Sequence, residues 1–357
     1  MKNNDPISRR KFFRSSIGMG AAVVATMSCS ASAAASAAAS AAAARQPSAI
    51  NFHSGFVSDP STYYEVLEPV TKTNKPPMVL IHGGAVSGAC YMATADGRPG
   101  WAHVFAAKGY KVVVPDWAGT GRSGYIPYDA LTGETVIRGL GKLLATLDRP
   151  AIVMTHSMSG PFGWKLLELY GDRIEKLVAI APGGPGNVSA PTEFLTVTSD
   201  FVEVRLAPGA PILKLSRKQP FVAEPGWAAK KMVGTSTRFP REFLDASVAT
   251  LDVIPPRLLL ERVNYANSAP RVADFSGYKG KHIALIMGTN DADHTVATDK
   301  PIVDWLNENG ARAEFIPLGE KGIQGNGHMM MMESNSDQLA NAIVAWLQTG
   351  KFVAATS

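Results

Sequence analysis

Only two cysteines, Cys29 and Cys90, occur in 357 residues, too few for a disulfide framework. A surplus of one charge sign is also missing from most of the chain. The formal net charge of +5 gathers at the start: six of the 35 Lys and Arg but one of the 30 Asp and Glu lie in the first 45 residues, which leaves 29 of each sign beyond them. The basic balance therefore gives no argument for a nucleic-acid partner. No stretch of about 20 strongly apolar residues is present to span a membrane. The 33 Gly and 24 Pro follow no period, and no repeat of about 20–50 residues recurs. Metal-ligand spacings and glycine-rich dinucleotide loops are absent, so neither metal nor organic cofactor is implied. What is there is a chain 46% hydrophobic and 18% charged, enough to bury a large core.

The first 45 residues read apart from the rest. Residues 8–14 are Ser-Arg-Arg-Lys-Phe-Phe-Arg, followed by an uncharged Ala, Ser and Gly stretch from 15 to 44. The pattern resembles a twin-arginine export signal, which implies a periplasmic or secreted protein that folds before export and keeps no stable membrane insertion after processing. Small-x-small sites such as Ala31-Ser32-Ala33 offer cleavage points. Cys29 lacks the Leu three residues earlier that a lipoprotein box has, and Cys90 is then the one cysteine of the mature chain.

Short apolar, β-branched runs at 78–82, 111–114, 151–155, 177–181, 283–287 and 313–317 have the composition of buried parallel strands. Helical patterns at 101–108, 134–147, 160–170, 301–309 and 338–347 separate or follow them. This alternation predicts an α/β fold with a doubly wound, mostly parallel sheet. It breaks between about 186 and 278, where a helical cap over the carboxyl ends of the strands is expected. The domain reading is a leader and linker at 1–45, core at 46–186 and 276–357, and the cap insertion at 187–275.

Thr155-His156-Ser157-Met158-Ser159-Gly160 stands between a predicted strand and a predicted helix, the setting of a nucleophile elbow, with Ser157 as nucleophile. Thr155 and Ser159 replace the glycines that usually flank such a turn. The bland alternative is a Ser that only caps a helix. His82-Gly83-Gly84 ends the first central strand, and the amides of Gly84 and Met158 are the expected oxyanion donors. His82 itself is expected to order its loop. Gly325-Asn326-Gly327-His328 follows the last strand, and His328 there is the candidate base, active in its neutral form with a titration near an ordinary imidazole. The acid should follow strand 283–287, where Gly288-Thr289-Asn290-Asp291-Ala292-Asp293 offers Asp291 first and Asp293 second. Either Asp could instead cap the next helix.

Together with Asp96-Gly97-Arg98-Pro99-Gly100-Trp101, Asp116, Gly119-Thr120-Gly121-Arg122-Ser123 and the run Met329-Met330-Met331, these motifs resemble the α/β-hydrolase superfamily and, within it, small secreted bacterial serine esterases. In that esterase group the acid is a Glu in a Glu-Pro-x-Gly-Pro setting. Here Ala181-Pro182-Gly183-Gly184-Pro185 stands in its place, which moves the acid to Asp291 or Asp293. The resemblance implies a carboxylic ester hydrolase acting on a small-molecule ester through an acyl-enzyme. A lactonase or carbon–carbon bond hydrolase could use the same triad, and a non-catalytic binding protein could use the same scaffold.

Overall fold

The apolar runs become strands because they are buried on both sides. The computed structural model describes residues 49–189, 192–206 and 209–353. Strands β1 (Ile50–Val57), β2 (Thr62–Pro69), β3 (Met78–Ile81), β4 (Val112–Pro115), β5 (Ala151–His156) and β6 (Ile174–Ile180) precede the insertion. In β3, β4 and β5 every residue is buried, which accounts for their unbroken apolar runs. With β10 (His282–Met287) and β11 (Arg312–Pro317), they form one sheet in the order β1-β2-β4-β3-β5-β6-β10-β11. β2 pairs antiparallel with β1 and with β4, and the remaining six strands run parallel.

The helices follow from the strand order. α1 (Trp101–Ala107) connects β3 to β4, whereas α2 (Gly133–Thr146) connects β4 to β5 on the other side of β3. Right-handed crossovers moving in opposite directions put α1 and α2 on opposite faces. α3 (Gly160–Tyr170) joins β5 to β6 and packs on α2. The C-terminal helix (Ser336–Thr349) packs on α1, so both faces are covered.

The hairpin of β1 and β2 was not read from the sequence, since β1 is exposed at most positions and its Ile-Asn-Phe-His-Ser-Gly-Phe-Val carries no buried pattern. The insertion also differs from expectation. Besides short helices at Pro225–Ala228, Leu244–Val248 and Pro256–Arg262, it holds a three-stranded antiparallel sheet of β7 (Glu193–Val197), β8 (Phe201–Arg205) and β9 (Leu213–Ser216). A wholly helical cap is therefore corrected to a mixed one. The strands escaped detection because only Val202, Val204 and Leu215 are buried, against Leu260 and Val263 in a small core of their own. The described residues pack as one compact unit. The segment expected to be an export leader and Cys29 lie outside the described residues, among which no helix is long and apolar enough to cross a membrane.

Candidate active site

Four loops meet at the carboxyl ends of β3, β5, β10 and β11, where open α/β sheets place their ligands. Ser157 follows β5 directly with φ at +53°, a left-handed backbone that a β-carbon makes costly and that a simple helix cap does not need. The turn is held by Ser159, whose hydroxyl accepts from the His156 amide at 2.8 Å and lies 3.1 Å from the Ile81 carbonyl. That bond ties the elbow to β3. The close approach normally given by flanking glycines is shifted down the helix. A β-carbon on Gly163 would stand 2.7 Å from Thr155 Cγ2, and one on Gly160 would collide with the Gly183 backbone.

His328 Nε2 lies 2.9 Å from Ser157 Oγ, and its Nδ1 lies 2.7 Å from Asp291 Oδ2. These three residues are the ones the structure brings together. Asp293 it does not: that carboxylate pairs with Lys231, while the Asp293 amide donates to Asp291 Oδ1 at 3.0 Å. The loops of Asp291 and His328 touch backbone to backbone. The Asn290 amide donates to the Asn326 carbonyl at 2.8 Å, and a β-carbon on Gly288 would come within 2.5 Å of that same oxygen.

Burial lowers the His328 pKa, and the Asp291 carboxylate offsets this only in part. Burial works to raise Asp291, but His328, His294 and Lys231 outweigh it and hold the carboxyl below its usual range. The resting pair is thus neutral imidazole beside carboxylate, the form in which Nε2 can accept a proton. The expected titration near an ordinary imidazole moves downward accordingly.

Gly83 and Gly84 press against the elbow. A β-carbon on Gly83 would stand 3.1 Å from Ser157 Cβ, and one on Gly84 would overlap the Met158 side chain. His82 donates from Nδ1 to the Gly83 carbonyl at 2.8 Å and accepts the Trp117 amide at Nε2 at 3.1 Å, so it orders the loop. The insertion reaches this loop too, through the Asp252 amide on the Ala85 carbonyl at 3.0 Å.

Three residues to which the sequence assigns no part in the site stand next to it. His156 donates from Nε2 to the His328 carbonyl at 3.0 Å. Glu333 is fully buried and accepts from the Gly327 amide at 2.8 Å, from Asn326 Nδ2 at 2.5 Å and from Ser236 Oγ at 2.5 Å. His294 stacks on His328 with ring centroids 5.4 Å apart, and with Asp291 and His328 it forms a group able to hold a metal ion. Their chain positions, one before Ser157, three after Asp291 and five after His328, were the available signal. The Asp96–Trp101 motif braces the same loop: Arg98 Nη2 donates to the Glu333 carbonyl at 3.0 Å and Trp101 Nε1 to the Ser336 carbonyl at 2.9 Å.

Residues 78–342 match the model of a family described as the alpha/beta hydrolase family. A curated protein from a fungal species, a probable secreted lipase, is 25% identical over 349 residues, covering 80% of this chain and 85% of its own. A solved structure of a putative lipase from Acinetobacter baumannii superposes with a TM-score of 0.55 at 18% identity, covering 84% of this chain and 91% of that one. A bacterial esterase structure gives 0.51 at 16% identity, covering 84% and 93%.

Proposed function

The chain belongs to the alpha/beta hydrolase family, and from that premise we propose that it is an exported serine hydrolase cleaving carboxylic esters of small molecules. The unbroken line from Ser157 Oγ through His328 to Asp291, at 2.9 and 2.7 Å, carries the reading. Ser157 Oγ attacks the acyl carbon while His328 Nε2 takes its proton. The imidazolium so formed is held by Asp291 and returns the proton to the leaving alcohol. The amides of Gly84 and Met158 receive the oxyanion, and water hydrolyses the acyl-enzyme by the same proton path.

A fluorophosphonate probe tests this. Stoichiometric label on Ser157, with turnover of aryl esters abolished in Ser157→Ala, is the expected result. Label without ester turnover would turn the reading toward a lactone or carbon–carbon substrate, and no label would turn it toward a binding protein.

Because burial depresses the His328 pKa, the acid limb of kcat/KM should fall at a pH below the ordinary imidazole value of about 6.5, so that more than half of the full rate is kept there. A rate–pH profile with its midpoint at or above that value would contradict the assignment of His328 as a buried base.

An apolar cavity of about 290 Å³ opens between core and insertion, lined among others by Val86, Phe239, Val248, Leu251, Met329 and Met332. Met329 follows His328 directly, which makes this cavity the acyl pocket in the proposal. Its volume lies at the lower end for ligand sites and suits a short to medium acyl chain. Val248→Trp should shift kcat/KM toward shorter chains by about 10-fold or more, as pocket methylenes discriminate on that scale. Unchanged selectivity over an acyl series would move the pocket elsewhere. Trp227 packs on Phe221 at 5.1 Å between centroids and should matter less.

Export through the Arg9-Arg10 signal belongs to the same proposal. A Lys-Lys replacement should leave precursor in the cytoplasm, and continued export of that variant would remove the twin-arginine route from the reading.

A further inference from the structure

We propose that Asp291, His294 and His328 form an inhibitory site for a divalent cation of the Zn²⁺ type, which captures the hydrolytic base as a ligand. The inhibition rests on the function proposed above, but the binding does not. Each of the three offers one ligand atom, and these atoms lie within 4.8 Å of one another. A tetrahedral Zn²⁺ with bonds of about 2.0–2.2 Å needs its ligands about 3.3 Å apart, so side-chain shifts of about 1 Å close the set.

His294 has no part in the hydrolytic mechanism, yet it is arranged as a metal ligand. Its Nδ1 lies 2.9 Å from Asp299 Oδ1, so Nδ1 carries the proton and donates it, and Nε2 is left with a free lone pair. A carboxylate behind the remote nitrogen is the arrangement that orients ligating imidazoles and raises their basicity. Asp299 is itself nearly fully buried, and its Oδ2 has no hydrogen-bond partner. A cation on the His294 ring would compensate that carboxylate through the imidazole. The His294 and His328 rings are already neighbours, with 5.4 Å between centroids and 21° between their planes.

The charges around the group permit a cation. Lys231 and Arg262 oppose it, but Lys231 is paired with Asp293, and Arg262 interacts electrostatically with Asp299. With Asp291, Asp293 and Asp299 against these two cations, the neighbourhood is acidic on balance. Two imidazoles and one carboxylate select Zn²⁺ and its neighbours over Mg²⁺ or Ca²⁺, which prefer all-oxygen shells.

The cation takes His328 at Nδ1, the nitrogen that faces Asp291. The proton that Nδ1 carried then resides on Nε2, which can no longer accept the proton of Ser157, and hydrolysis stops.

The test is Zn²⁺ titration of the full chain, read by calorimetry and by ester hydrolysis, with folding of each variant checked by circular dichroism. Micromolar Zn²⁺ should bind at one tight site and inhibit, with recovery on EDTA, while millimolar Mg²⁺ or Ca²⁺ should not. His294→Gln should weaken both binding and inhibition by at least about 10-fold. Asp299→Asn, which touches neither Ser157 nor His328, should weaken binding by about 10–100-fold, and it carries the test if His294→Gln does not fold. Tight Zn²⁺ binding lost in His294→Gln supports the site even in a chain that hydrolyses no ester. Hydrolysis with no Zn²⁺ binding, or binding equal in wild type and both variants, overturns the proposal and leaves the hydrolase reading standing.

Discussion

An Asp291→Asn variant is expected to lose about four orders of magnitude in turnover with little change in KM. The carboxylate accepts the Nδ1 proton of His328 at 2.7 Å, which leaves Nε2 unprotonated toward Ser157. An amide in its place can present N–H to Nδ1 and invert the tautomer, and in a well-studied triad that exchange costs about 10⁴-fold. Substrate contacts lie on the other side of the imidazole, so KM should hold. The pH profile offers a second readout. Asp291 raises the His328 pKa against burial, so its removal should move the acid limb to still lower pH. Asp293→Asn breaks only a partly exposed ion pair with Lys231 and should be mild, since such pairs contribute little. A crippled Asp293→Asn beside an active Asp291→Asn would reverse the assignment of the acid.

Much of this site was legible because chemistry and chain order coincide. Ser157 lies between a strand and a helix, His328 sits in a glycine-flanked loop after the last strand, and Asp291 stands four residues beyond Met287. Each could be placed from its own local pattern. Loop length ranks Asp291 before Asp293 and leaves both open, and it is the contact with His328, 37 residues away, that separates them. The parallel strands were legible for the same reason, since burial on both faces leaves an unbroken apolar run. The misses share the opposite property. β1 and the strands of the insertion bury few side chains, so they carry no period to read. His294 and Glu333 act through contacts that only the fold creates. His294 reaches Asp299 across the start of a helix, and Glu333 turns back to the loop that precedes it while meeting Ser236 from the insertion. The elbow departs from the usual pattern at 155 and 159, where Thr and Ser replace glycines. Gly160 and Gly163 supply the close approach instead, and the Ser159 hydroxyl takes on a bond no glycine could make.

Glu333→Ala should lower stability by about 4 kcal/mol and reduce kcat more than it changes KM. All three groups that meet this carboxylate are donors: the Gly327 amide, Asn326 Nδ2 and the Ser236 hydroxyl. Only an acceptor-only side chain satisfies them together. Burial raises the Glu333 pKa, and the three donors counter this. Truncation orphans buried donors at about 1–3 kcal/mol each and leaves a cavity besides. Gln is no remedy, because its amide would set N–H against one of these donors. Asn326 cannot turn to accommodate it without losing the reciprocal bonds it makes with Asn335, at 2.7 and 3.0 Å. Glu333→Gln should therefore fall between wild type and Ala. The loss reaches catalysis because Asn326 and Gly327 immediately precede His328, and a loop freed at that point no longer holds Nε2 at hydrogen-bond distance from Ser157. Fluorophosphonate labelling of the folded variant should slow in step with kcat. A Glu333→Ala protein that unfolds at the wild-type midpoint and labels at the wild-type rate would show that Arg98 and Trp101, bonded to the backbone at 333 and 336, hold the loop by themselves.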